Sequence, residues 1–186
     1  MIGYLSGFIG EVRGDHLILV VNGVGYKVLS PLPLLVASKK ETSLSLYIHT
    51  HVREDQLSLF GFQDESELFV FEKLIGVSGI GPKSALSMLS TNPPSSLAQA
   101  VESGDVTTLS RTPGVGKRTA EKIIIELKGK LSHLASGEEH KELEEVRLAL
   151  EALGYSSKEI HDALKGVEST GRSTGAIIKD ALARLH

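Results

Sequence analysis

The chain has 186 residues, with 23 acidic side chains against 20 basic ones, a formal net charge of -3, and neither cysteine nor tryptophan. The absence of cysteine excludes thiol catalysis, disulfide scaffolding and cysteine-ligated zinc, leaving only histidine and carboxylates as metal ligands. The opening Met1-Ile2-Gly3-Tyr4-Leu5 has no basic region followed by a long apolar run, and no stretch approaches about 18 apolar residues, so a cytoplasmic location is expected.

Residues 1–63 read as strands. Leu44, Leu46 and Ile48 alternate with Ser43, Ser45, Tyr47 and His49, residues 17–21 form a short apolar run, and Gly14-Asp15 and Asn22-Gly23-Val24-Gly25 have turn chemistry. Several short strands in so few residues suggest a barrel. A five-stranded barrel of the oligonucleotide/oligosaccharide-binding (OB) type is the economical choice, because it limits exposed strand edges at this length.

From Asp64 the period changes. Asp64-Glu65-Ser66-Glu67 ahead of Leu68-Phe69-Val70-Phe71 predicts a capping box opening a helix, and helices then dominate to residue 131. Pro82 suits a first helical position, Asn92-Pro93-Pro94 breaks the chain, Ser95 or Ser96 is expected to cap the next helix, and Gly104-Asp105 restarts it. Residues 117–130 are expected to form the last helix of this region, with Ile123, Ile124, Ile125 and Leu127 as a broad apolar surface.

This region contains a duplicated phrase. Val77-Ser78-Gly79-Ile80-Gly81-Pro82-Lys83-Ser84-Ala85 and Thr112-Pro113-Gly114-Val115-Gly116-Lys117-Arg118-Thr119-Ala120 share the Gly spacing, a small hydroxyl residue (Ser84, Thr119) and an alanine at matched positions. In each copy a Gly-aliphatic-Gly turn opens into a helix. The first-turn N–H groups lack intrahelical partners and are presented together to an outside acceptor, for which a phosphate oxygen is suited. Glycine permits the turn and lets the phosphate approach, while Lys83, or Lys117 with Arg118, adds charge. This helix-hairpin-helix signature, present twice, points to duplex DNA.

Net acidity does not oppose that reading, because charge is segregated. Between residues 109 and 130 lie Arg111, Lys117, Arg118, Lys122, Lys128 and Lys130 against only Glu121 and Glu126, whereas residues 138–151 are dense in carboxylates. A local basic surface is expected around the second hairpin, and an acidic segment facing something other than DNA.

Residues 132–140 are small, polar and charged, and read as a flexible linker. Beyond them, residues 142–153, 157–167 and 174–185 carry three short helical patterns separated by Gly154-Tyr155-Ser156 and Gly171-Arg172-Ser173. In so small a bundle Leu150, Leu153, Tyr155 and Leu182 either fill the core or stay partly exposed as a docking face.

The whole chain resembles the RuvA family, the DNA-binding subunits of the bacterial Holliday-junction branch-migration complex. The resemblance rests on the opening Met1-Ile2-Gly3-Tyr4-Leu5-Ser6-Gly7, on residues 51–62 (His-Val-Arg-Glu-Asp-Gln-Leu-Ser-Leu-Phe-Gly-Phe), on both Gly-x-Gly motifs, and on Leu153-Gly154-Tyr155. It implies a multidomain α+β fold: a five-stranded OB-type β-barrel over 1–63, a central all-α tandem helix-hairpin-helix domain over 64–131, the linker over 132–140, and a three-helix, UBA-like bundle over 141–186. It also implies a noncatalytic homotetramer, or two facing tetramers, that holds a four-way junction open for the hexameric ATPase RuvB during recombination and repair. The resolvase RuvC is a candidate further partner, and no cofactor or metal is implied. In the family pattern Glu54 and Asp55 correspond to acidic pins at the junction centre, while Gly79, Gly81, Lys83, Ser84, Gly114, Gly116, Lys117, Arg118 and Thr119 grip the arms. Leu150, Leu153, Tyr155 and Leu182 correspond to motor contacts.

Other chemistries fit less well. Residues 115–119 lack the Gly-Lys-Ser/Thr order of a phosphate-binding loop, because Arg118 follows Lys117 and Arg111 stands where the earlier Gly belongs, so ATP hydrolysis is not expected. His49 and His51 share a strand face at a metal-compatible spacing but have no evident third ligand. Glu54-Asp55 as a nuclease metal pair would need further converging carboxylates, and Glu11, Asp15 and Glu41 have no spacing that supplies them. A helix-hairpin-helix glycosylase or nuclease is the enzymatic alternative. A single-strand binder stacking bases on Tyr4, Phe8, Tyr26, Tyr47, Phe60 and Phe62 is another, although no basic strip accompanies these rings.

Overall fold

Five strands, β1 (Tyr4–Arg13), β2 (His16–Val21), β3 (Val24–Leu29), β4 (Ser43–Val52) and β5 (Leu57–Phe62), close into a barrel in the order β1-β2-β3-β5-β4. The computed structural model describes residues 1–135, 146–164 and 174–185. Residues 1–131 make one compact unit and 132–186 a second, so the expected boundary at 63/64 falls inside the first unit.

Closure depends on the length of β1. Its first half, Tyr4 to Phe8, pairs antiparallel with β4, and its second half, Phe8 to Arg13, pairs with β2 across a register shift between Ile9 and Glu11. A bulge there bends the strand from one neighbour to the other. The close crossing explains Gly7, where an added Cβ would run into the carbonyl oxygen of Val20. β2 turns into β3 through Asn22 and Gly23, at φ +50° and +83°, the two left-handed positions of a tight hairpin; Val24 and Gly25 belong to β3. The parallel pairing of β3 with β5 completes the barrel.

Alternation then sets the interior. Leu5, Ile9, Leu17, Leu19, Val28, Leu46, Ile48 and Leu59 form its core, with Leu34 and Leu35 packed against them. The last two come from α1 (Leu32–Ala37), a short helix that the strand pattern of residues 1–63 does not predict. Proline at its first turn supplies the starting dihedral.

Five helices follow in the same unit: α2 (Glu65–Ile75), α3 (Pro82–Thr91), α4 (Pro94–Ser103), α5 (Val106–Ser110) and α6 (Lys117–Leu127). Asp64 caps α2 by accepting from the Glu67 N–H at 2.9 Å, and Glu67 reaches back to accept from the Gln63 N–H at 2.9 Å. Burial pushes the Glu67 carboxyl above its ordinary value. Neither Ser95 nor Ser96 caps α4: Pro93 occupies the cap position and Pro94 the first turn, so both serines fall inside the helix. Gly104, at φ +74°, ends α4, and Asp105 opens α5 by accepting from the Thr108 N–H at 3.0 Å. α6 stops at Leu127, short of residue 130, because Lys128 is extended. Its apolar face is also narrower than expected, with Ile123 and Leu127 buried and Ile125 exposed.

Aromatic rings join the barrel to the helices. Phe71 of α2 lies 5.1 Å from Phe60, 4.8 Å from Phe62 and 5.4 Å from His49, centroid to centroid. Phe60 and Phe62 are therefore buried, which removes both from the set of rings offered for base stacking.

In the second unit, α7 (Ser132–Ala135) occupies the first residues of the expected linker, and 136–140 lie outside the described residues. Residues 146–152 are helical (α8), followed by α9 (Ser157–Leu164) and α10 (Thr174–Leu185); positions 165–167, expected in the second helix, lie outside the described residues. α8 ends at Gly154, φ +94°, where the Tyr155 N–H donates to the Leu150 carbonyl at 3.2 Å. Ser156 and Glu159 then form a capping box, and the hydrogen bond from the Ser156 hydroxyl holds the Glu159 carboxyl below its ordinary value. Val146, Leu150, Ile160, Ala163, Ile177 and Ala181 make the core.

Candidate nucleic-acid interface

The two hairpins have the same backbone. In the first, the Val77 N–H donates to the Leu74 carbonyl at 3.0 Å and the Ile80 N–H to the Val77 carbonyl at 3.0 Å; in the second, Thr112 donates to Leu109 at 3.4 Å and Val115 to Thr112 at 3.0 Å. Gly79 (φ +94°) and Gly114 (φ +84°) take the left-handed conformation at matched positions. Ile80 and Val115 are buried, so each turn is plugged into the core by its middle residue. Gly81 and Gly116 then stand at the N-caps of α3 and α6, and their carbonyls accept the first helical bonds, from Ala85 at 3.1 Å and Ala120 at 2.9 Å.

Neither N-cap carries a side-chain cap, so the first-turn donors face outward. A Cβ on Gly79, Gly81 or Gly116 would meet no atom within 4 Å, which leaves room for an approaching oxygen. Together with the positive end of each helix, these outward amides are chemically suited to an anion.

The fold brings the hairpins side by side. Ser84 Oγ lies 3.9 Å from the position of a Cβ on Gly114, and Thr91 Oγ1 of α3 lies 3.4 Å from Thr112 Oγ1. Lys83, Lys117 and Arg118 are exposed, while Ser84 and Thr119 are half-buried on their helices. Arg111 and Lys122, which the sequence marks only as part of the basic stretch, are exposed as well. None of these five cations forms an ion pair among the described residues, so their charge is available to a polyanion.

Glu54 and Asp55 lie apart from this surface. They form the exposed tip of the β4–β5 hairpin, closed by bonds between Arg53 and Gln56: the Arg53 N–H donates to the Gln56 carbonyl at 2.8 Å and the Gln56 N–H to that of Arg53 at 3.4 Å. Below the tip, His51 Nε2 accepts from Arg53 Nε at 3.1 Å, and burial, Arg53 and His49 lower the His51 pKa. His49 Nδ1 pairs with Glu72 Oε1 at 3.0 Å. The two histidines thus share a face but are engaged by neighbouring side chains. Among the described residues, no three His, Asp or Glu side chains converge to hold a metal ion.

In the second unit the four candidate contacts separate. Leu150 is completely buried and cannot reach a partner without opening the bundle; Tyr155 and Leu182 pack half-buried against the core; Leu153 is 62% exposed. The position of α8's terminating Gly154 leaves Leu153 outside the core.

Three family models cover most of the chain. The family described as RuvA N terminal domain matches residues 1–61, SAM-like helix-hairpin-helix tandem matches 71–130, and RuvA, C-terminal domain matches 141–186. Relatives named Holliday junction branch migration complex subunit RuvA include those of Alkaliphilus oremlandii (41% identical, covering 98% of this chain and 97% of the relative), Lactobacillus acidophilus (42%, 100% and 98%) and Acholeplasma laidlawii (41%, 100% and 99%). No helix among the described residues is long and apolar enough to cross a membrane. A closed OB-type barrel carrying paired helix-hairpin-helix turns, matched from end to end, makes this chain a member of the RuvA family.

Proposed function

We propose that this chain is the noncatalytic junction-binding subunit of a branch-migration complex, which holds four-way DNA open and delivers it to a RuvB ring ATPase. The carrying observation is the pair of uncapped helix N-termini at Gly81 and Gly116, set side by side, with five exposed cations on or next to the hairpins that form no ion pair among the described residues. Backbone amides recognise phosphate and not base edges, so the grip carries no sequence preference. Branch migration needs that indifference, because each good bidentate base contact holds a position by about 1–3 kcal/mol.

Glu54 and Asp55 do the opposite work. Duplex DNA carries one phosphate charge per about 1.7 Å of axis, so a carboxylate pair on a projecting tip resists close approach. Four such tips in a homotetramer would discourage the strands from stacking across the crossover while the hairpins hold the arms. Leu153, the exposed member of the four candidate contacts, is the motor-docking candidate on the second unit, with Tyr155 and Leu182 half-buried against its core.

The test is binding of the pure protein to a synthetic four-way junction, linear duplex and single strand of equal length at one moderate salt concentration. A large junction preference independent of arm sequence is expected. Equal binding to all three would overturn junction recognition, and base release or strand scission would overturn the noncatalytic role.

A further inference from the structure

The β4–β5 hairpin continues past the barrel that it helps to close. β1 pairs with β4 no farther along than Tyr47, β3 pairs with β5 only at Leu59 and Phe60, and Thr50 is held by Ile2. Beyond Thr50 and Leu59 the two strands pair only with each other among the described residues, and their last ladder pair is Val52 with Leu57.

Strand alternation places Val52 and Leu57 on the face that inside the barrel carries Leu46, Ile48 and Leu59. The apolar row therefore runs on where no core remains to cover it, and the two side chains are 68% and 62% exposed. The opposite face is polar, with His51, Arg53, Gln56 and Ser58, and the acidic tip follows at once. An exposed apolar pair under two carboxylates selects its occupant. Phosphate is repelled by the tip. A protein partner is a poor fit, because a stable interface takes about 20–30 residues a side. The flat faces of nucleobases are apolar, uncharged and accessible where strands part.

We infer that Val52 and Leu57 form an apolar wedge that packs against the unstacked base pairs at the crossover, so that the pin parts strands by contact as well as by repulsion. Apolar side chains unstack base steps elsewhere by the same means. This rests on the junction-binding reading above, which brings the hairpin tips to the crossover.

The experiment uses the full chain and a four-way junction carrying 2-aminopurine at the base pairs flanking the crossover. Binding of the native protein is expected to raise the fluorescence. V52T/L57T, which keeps strand-forming residues, is expected to lose most of that rise when the junction is saturated with protein. V52I/L57M is expected to retain it. An undiminished rise with V52T/L57T at saturating protein would overturn the wedge and leave junction recognition intact. Loss of junction preference by the native protein would overturn both. A smaller assembly of V52T/L57T by light scattering would also overturn the wedge, assigning the pair to contacts between copies of this chain.

Discussion

In the first hairpin the chain turns at Gly79 and enters α3 through Pro82, which contributes no N–H, so Lys83 and Ser84 supply the first-turn donors and Lys83 the single adjacent cation. In the second it turns at Gly114 and enters α6 through Lys117, with Lys117, Arg118 and Thr119 all donating and Arg111 and Lys122 nearby. The backbones match bond for bond, yet their surroundings differ. The first is anchored to the barrel through Phe71 and lightly charged; the second is led by the five-residue α5 and heavily charged. The two copies thus share the outward-facing amide geometry, which depends on glycine, and differ in anchorage and electrostatics.

The sharpest way to break this comparison is Phe71→Ala. Removing the ring between barrel and α2 is expected to cost about 3–5 kcal/mol in denaturant melts. Amide exchange should rise around residues 79–84 before residues 114–119, and equal loosening would show that both hairpins share one anchor. Next come Gly79→Ala and Gly114→Ala, made separately. Each forces a Cβ into the left-handed region at about 1–2 kcal/mol, and the two thermal shifts should be alike because the backbones are alike.

The charge difference predicts a smaller, graded effect. In log-log plots of junction affinity against salt, Lys117→Ala with Arg118→Ala should reduce the slope by about 2, and Lys83→Ala by about 1. Equal changes would mean that only one of the second pair touches phosphate. The smallest effect is in acid. The Thr108 hydroxyl and backbone hydrogen bonds lower the Asp105 pKa, so its stabilisation is present above the ordinary carboxylate value and is lost as pH falls through the lowered one. Glu67 is shifted the other way by burial, so its ionisation opposes folding and acid relieves that penalty. The Thr108 amide resonance should therefore report loss of the α5 cap at a lower pH than the protonation of Glu67 that eases α2, and Asp105→Asn should abolish the α5 step.

What the sequence discloses here is what local geometry controls. Period-two alternation around Leu44–Ile48, turn residues at Asn22-Gly23, and a glycine phrase written twice each act over a few neighbours and are readable without the rest of the chain. α1 escaped because six residues begun by prolines and holding two buried leucines show no helical period. The burial of Phe60 and Phe62 depends on Phe71, and alternation cannot tell where a barrel stops covering its own inner row, so Val52 looks like any core valine. Leu150 and Leu153 are similarly indistinguishable until Gly154 fixes where α8 ends. The site divides the same way: the hairpin glycines were legible, whereas their adjacency through Ser84 and Gly114 was not.

The shared aromatic cluster also has a consequence for synthesis. A growing chain releases β3 first, and its partner β5 only after α1 and β4 have emerged, so the parallel seam of the barrel closes late and at the entropic cost of a long loop. Even then Phe60 and Phe62 lack their cover until Phe71 of α2 is translated. A nascent chain paused just after β5 would carry two bare phenylalanines, an aggregation hazard on the ribosome that the first turns of α2 remove. The outer face of β5 is thus completed only when α2 has joined the barrel.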